Sequence, residues 1–210
     1  MLTLHDYLPS QNAWKVRVLL GLLGLPHRTR PVAIFGGESR TDQFLALNPA
    51  GAVPVLELED GRAIAESNAI LIYLAEGSRY LPEDRFERAK VMQWLFFEQY
   101  YVEPVIGSLR FWALTGRLEL NAAQVEGKRS TAVRALSALE RNLAGRTHLV
   151  GEQLTIADIA VYAYGHLSAD CGFPLSGYPA VEAWANRVAA EIGPGYPVHL
   201  YGPEASPASQ

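Results

Sequence analysis

The order of the first three segments constrains this chain most. Met1–Asp6 alternates like a strand, Ser10-Gln11-Asn12 opens a helix that is apolar from Trp14 to Leu23, and Thr29–Ala33 reads as a second strand. Gly24-Leu25-Pro26 closes the helix with a C-cap glycine and a following proline. A strand–helix–strand unit implies a parallel pair. A short helix follows over Thr41–Leu47, ended by Asn48-Pro49, and then Val53–Leu58 is strand-like. Asp60-Gly61 is a hairpin turn that returns Arg62–Ala65 as the partner strand. This hairpin adds an antiparallel edge to the sheet. Ser67–Glu76 is helical, with Ile70, Leu71 and Leu74 on one side. On the first helix, Lys15 and Arg17 are expected to be exposed.

Beyond Gly77–Asp84, which contains Pro82, the strand signals stop. Arg85 to Trp112 is one long helical stretch, with Trp94, Phe97, Tyr101, Val105 and Trp112 at near-heptad spacing. Pro104 and Gly107 are expected to kink or loosen it. Leu120–Leu143 is a second long amphipathic helix. Thr155-Ile-Ala-Asp158 is a capping box in front of the buried run Ile159–Leu167. Tyr178-Pro179 starts the last helix, Ala180–Ala190. The tail from Gly193 is rich in Pro, Gly, Ser and Ala and is expected to be loosely ordered. The 210 residues therefore divide into an α/β domain over 1–78, an all-helical domain over 85–195 and a tail over 196–210.

Several function classes are disfavoured. The net charge is −4 and no Lys/Arg cluster stands out, against nucleic-acid binding. No apolar run approaches the roughly 20 residues that span a bilayer. Met1–Asp6 has neither the basic nor the apolar region of an export signal, so a cytoplasmic location is expected. Cys171 is the single cysteine, so no internal disulfide forms. The five histidines are scattered without ligand spacing, and no metal is expected.

Three short stretches carry chemistry. A cis Val53-Pro54 bond would turn the Val53 backbone outward to pair with an extended peptide; an ordinary trans turn proline is the alternative. Glu66-Ser67 lies where a strand passes into a helix. Free amides and the positive end of the dipole suit a carboxylate there, and Glu66 suits an ammonium. A zwitterionic α-amino-acid group satisfies both, and a plain N-cap is the alternative. Ser10, just before the first helix, can donate to a thiolate, with Asn12 as a second donor; either residue can instead merely cap the helix. The segment has no cysteine, so a nucleophilic thiol has to come with the ligand. The aromatic set Phe97, Tyr100, Tyr101, Phe111 and Trp112 either lines an apolar pocket or fills core and helix–helix interfaces. Arg110 meets an acidic group or a neighbouring carboxylate.

The ordered set resembles the cytosolic glutathione transferases. The matching residues are Ser10-Gln-Asn-Ala-Trp-Lys-Val-Arg17, Leu47-Asn48-Pro49, Val53-Pro54, Glu66-Ser67 with Ala69–Leu74, and the Thr155–Asp158 box. The start resembles bacterial serine-type members, theta-, delta- or nu-like, and not the groups with an N-terminal tyrosine. The resemblance implies a thioredoxin-like domain, a C-terminal helical bundle and a homodimer. It also implies glutathione as co-substrate, paired to Val53 and Pro54, with its γ-glutamyl end at Glu66 and Ser67 and its thiol facing Ser10. A small hydrophobic electrophile would then sit between the domains near Tyr7, Trp14, Tyr101, Phe111 and Trp112. Many relatives carry a basic or amide side chain just before the Val-Pro pair, to hold the glycyl carboxylate. Here Ala52 stands at that position, and Arg40 is the nearest basic candidate. Two other readings follow from the same motifs. One is glutathione-dependent isomerisation of a cis-alkene diacid of the maleylacetoacetate type; the zeta-like Ser-Ser-Cys, however, is replaced by Ser10-Gln11-Asn12. The other is a non-catalytic binding or regulatory protein on the same fold.

Overall fold

The computed structural model describes residues 1–207. Its first unit runs β1 (Leu2–Asp6), α1 (Gln11–Leu22), β2 (His27–Pro31), α2 (Asp42–Leu47), β3 (Val55–Glu57), β4 (Ala63–Ala65) and α3 (Ser67–Ala75). The four strands form one sheet in the order β2-β1-β3-β4. β1 runs parallel to β2 and antiparallel to β3, with Leu4 level with Thr29 on one side and Leu56 on the other. β3 and β4 are the hairpin, pairing Leu56 with Ile64 across the Asp60-Gly61 turn. This is a thioredoxin-like unit, with α1 and α3 packed together on the sheet.

β2 begins two residues before the expected Thr29, because its ladder with β1 opens directly after Pro26. β3 begins only after Pro54, whose missing N–H cannot join the ladder.

The helical unit comprises α4 (Arg85–Phe97), α5 (Ser108–Thr115), α6 (Ala122–Leu143), α7 (Ile156–Gly165) and α8 (Pro179–Ile192). Between α4 and α5 the chain continues as a π-helical stretch, Glu98–Gly107, that contains Pro104. Proline removes one rung of the ladder. Ser108 Oγ donates to the Pro104 carbonyl at 2.8 Å, and Lys128 Nζ donates to it as well. All of α7 is buried, with α1, α3, α4 and α8 packed around it.

α7 is held at its N-terminus by the capping box. Asp158 is 0% exposed and its carboxylate accepts from Thr155 N at 3.0 Å, Leu149 N at 2.9 Å and Trp184 Nε1 at 2.9 Å. Burial pushes this carboxyl up, against the pull of those donors.

Two expectations are corrected here. Lys15 is fully buried rather than exposed, because the helical unit covers the polar side of α1 and supplies Glu98 at 2.8 Å. Arg17 is largely covered too, bonded to Asp6 Oδ1 at 2.6 Å and to the Leu8 carbonyl at 2.9 Å. The described part of the tail is packed rather than loose. Tyr196 O accepts from Trp14 Nε1 at 2.9 Å, Glu204 accepts from Tyr7 Oη at 2.8 Å, and Arg117 donates to the Ala205 carbonyl. Its Pro, Gly, Ser and Ala composition lowers local propensity, but Tyr196 and Tyr201 find aromatic and polar partners on both units. Residues 208–210 lie outside the described part.

Candidate functional site

Ser10 is the N-cap of α1, in extended conformation, and its Oγ accepts from Ala13 N at 3.2 Å. Capping uses a lone pair of the hydroxyl and leaves its proton free to donate. The capping and thiolate-donor readings are therefore compatible. Ser10 lies on a cleft of about 380 Å³ between the units, walled by Tyr7, Phe35, Arg40, Val53, Phe111, Tyr164 and Tyr201 among others.

A narrower groove of about 170 Å³ holds Asn12, Asn48, Pro54, Glu66, Ser67 and Gln99, and shares Ala52 and Val53 with the cleft. The Val53-Pro54 bond is cis. Among the described residues, no hydrogen bond engages the N–H or C=O of Val53. The loop before it is fixed by Asn48, whose side chain donates to the Ala52 carbonyl at 2.8 Å and accepts from Ala50 N at 3.0 Å.

Glu66 has φ 66° and ψ 114°, and is the one non-glycine residue with positive φ among those described. An L-residue held there costs on the order of 1–3 kcal/mol, a cost that concentrates at binding sites. Its exposed side chain projects beside the buried Ser67, the first residue of α3.

Arg40 lies over Gly51. A Cβ at Gly51, where φ is +63°, would come within 2.5 Å of the guanidinium and 2.8 Å of the Ser39 carbonyl. Arg40 donates to the Ala50 carbonyl at 3.0 Å and remains exposed on the cleft wall beside Ala52.

The expected electrophile residues divide. Tyr7 and Phe111 line the cleft; Trp14, Tyr101 and Trp112 do not. Trp14 faces α7 and is buried between Tyr162 and His166, at ring distances of 5.7 and 6.1 Å. Phe111 and Trp112 are consecutive on α5 and so point about 100° apart. Phe111 meets Phe35 and Tyr201, while Trp112 packs under Lys128. Tyr101 belongs to an outer aromatic group with Phe97 and Tyr100.

The Tyr7 hydroxyl is engaged away from Ser10. Its hydroxyl is pushed well above the ordinary tyrosine range, by burial first and then by Glu204, to which it donates. Asn12 is committed on both sides: its carbonyl oxygen accepts from Lys15 Nζ at 2.8 Å, and its amide meets Glu103, whose carboxyl is raised chiefly by burial. Arg110 is bonded through Nε to Asp170 at 2.7 Å.

Sequence reasoning missed Phe35, Tyr164 and Tyr201 on the cleft, and Gln99 on the groove. Tyr164 lies inside the apolar α7 run and Tyr201 inside the low-propensity tail. Neither carries a local signal of a binding wall.

Fold and site together define a two-domain protein: a thioredoxin-like unit with an open peptide groove, completed by a helical unit that walls an aromatic cleft. Residues 9–76 match the family model of the glutathione S-transferase N-terminal domain, and residues 99–191 that of its C-terminal domain. Glutathione S-transferase 1 of Schizosaccharomyces pombe is 33% identical over 209 residues, covering 90% of this chain and 91% of its own length. A solved glutathione S-transferase from Pseudomonas fluorescens is 45% identical with a TM-score of 0.86, covering 89% of this chain and 94% of that one. A glutathione transferase family member from the same organism, solved with two glutathione bound, is 29% identical with a TM-score of 0.77, covering 90% and 88%. Elongation factor 1-gamma of Artemia salina is 34% identical over 158 residues, but there this chain spans 36% of the relative's length. The chain belongs to the glutathione S-transferase family.

Proposed function

We propose that this glutathione S-transferase holds glutathione along the groove and stabilises its thiolate with Ser10. The thiolate then attacks an electrophilic carbon, a disulfide or a peroxide. One observation carries the reading. The free Ser10 proton and the unpaired Val53 backbone share one cleft, and Glu66-Ser67 lies on the adjoining groove. The cysteinyl part pairs with Val53 beside Pro54, the γ-glutamyl end meets Glu66 and Ser67, and Arg40 takes the glycyl carboxylate in place of a side chain at Ala52. The unit over 1–78 thus holds the peptide. The unit over 85–195 supplies Phe111 and Tyr164 to a small hydrophobic electrophile, with Tyr7 opposite. That a solved family member carries two glutathione supports glutathione as the ligand.

Calorimetric titration with glutathione tests the reading. Saturable binding is expected, weakened roughly 3- to 10-fold by Glu66→Gln, as loss of one partly solvated charge-assisted bond implies. Absence of binding at millimolar glutathione would instead favour a non-catalytic relative of the fold.

The same reading includes a homodimer in the cytoplasm. No described helix is long and apolar enough to cross a membrane. Phe96 and Tyr100 are 74% and 72% exposed on one face, with Tyr101 beside them. Such an apolar patch favours a partner surface, and a second copy is the occupant proposed. Light scattering is expected to give the mass of two chains, and Phe96→Asp with Tyr100→Asp the mass of one. An unaltered mass in that double variant would rule out this face.

A further inference from the structure

Behind the narrow groove lies a buried ion pair that joins the two units. Lys15 on α1 and Glu98, at the start of the π-helical stretch, are both 0% exposed and meet at 2.8 Å. The ammonium also donates to Asn12 Oδ1 at 2.8 Å and to Ser67 Oγ at 3.4 Å. The second Glu98 oxygen accepts from Asn68 Nδ2 at 3.0 Å, and that amide also donates to the Leu95 carbonyl at 3.0 Å. The Tyr164 ring lies 5.5 Å from the ammonium.

A buried pair of this kind is weak evidence for stability, since apolar residues of the same volume often serve as well or better. The groups it touches point to another role. Lysine only donates. The Asn12 atom against it must therefore be the carbonyl oxygen, which fixes the direction of the Asn12 amide hydrogens. For the same reason Ser67 Oγ accepts from Lys15, so the serine keeps its own proton for another acceptor. That proton lies toward Asn12 Oδ1, 3.4 Å away, and is available to a carboxylate arriving in the groove. The positive charge directly behind Ser67 favours the same carboxylate.

We propose that Lys15 is a positioning residue for the γ-glutamyl end of glutathione. It orients the Ser67 hydroxyl as a donor, and is itself held in place by Glu98 from the helical unit. This rests on the glutathione reading above. Recognition of the amino-acid end then depends on how the helical unit docks, although that unit supplies none of the γ-glutamyl contacts named.

The test is selectivity between two peptides. Wild type and the charge-balanced double variant Lys15→Met with Glu98→Leu are titrated with glutathione and with cysteinylglycine, which lacks the γ-glutamyl group. KM for an aromatic electrophile is read at saturating glutathione. The double variant is expected to lose at least tenfold in glutathione affinity. Cysteinylglycine affinity and the electrophile KM are expected to stay within twofold. Glu98→Gln keeps the volume and loosens the hold on Lys15; it is expected to lose about threefold for glutathione alone, and it decides the question if the double variant does not fold. Equal losses for both peptides, or unchanged glutathione affinity in a folded variant, overturn the assignment. A wild-type chain that binds neither peptide overturns the glutathione reading itself, and this inference with it.

Discussion

Replacing Ser10 with alanine is expected to move the pH–rate profile to higher pH and to slow turnover at neutral pH roughly 10- to 100-fold. The sign follows from the charged form being the nucleophile. In the proposed complex the hydroxyl donates to the thiolate, so removing it disfavours ionisation and is expected to raise the bound thiol's pKa. The size follows from a hydrogen bond to an ion, worth about 1.5–3 kcal/mol. At high pH, where the thiol ionises unaided, the variant is expected to approach the wild-type rate. Stopped-flow absorbance of bound thiolate against pH measures the shift directly. An unmoved profile removes Ser10 from the chemistry and leaves it as the cap of α1. Tyr7→Phe is the matched control. Its hydroxyl already donates to Glu204, so the profile is expected to stay in place.

The second large effect is on stability. Asp158→Ala is expected to destabilise the fold by about 3–5 kcal/mol, because it strands the Leu149 and Thr155 amides and the Trp184 indole N–H in a buried setting. For a chain of this size that lowers Tm by roughly 6–20 °C. Asp158→Asn retains an acceptor and is expected to fall between. Urea unfolding followed by tryptophan fluorescence reads both, with Trp184 beside the change. A loss below about 1 kcal/mol would mean that water reaches those donors. None of the groups bonded to Asp158 lines the cleft, so glutathione affinity of the folded variant is expected to be unchanged.

What could be read in advance was local. The Asp60-Gly61 turn, the Thr155–Asp158 box, the glycine-proline stop after Leu23 and the Pro104 disturbance each act within a few residues. Their effects therefore appear in any sequence window that contains them. Ser10 at a helix start and Glu66-Ser67 at a strand–helix junction were legible for the same reason. Apart from strand ends beside Pro26 and Pro54, the failures are long-range. Lys15 looked like a solvent-facing residue because nothing near it announces Glu98, 83 positions away. Trp14 looked like a pocket wall because helical spacing does not say which side meets α7. Of two neighbouring rings on α5, only rotation about the helix axis decides that Phe111 faces the cleft and Trp112 does not. Tyr201 was hidden by composition. A segment of poor intrinsic propensity was judged by its average, while its placement is decided by individual side chains that dock elsewhere.

The packed tail has an evolutionary consequence. Tyr201 and Phe35 line the cleft from the C-terminal segment and a connecting loop, outside the sheet and the long helices. Neither ring belongs to the buried core, so exchanges there are expected to alter the reach and shape of the cleft. The side proposed to hold the thiol has no such latitude, since Ser10 and Ser67 stand at helix ends and Val53 in the loop that leads into the sheet. Under the proposed function, substitutions on the acceptor side are thereby separated from the side that holds the thiol.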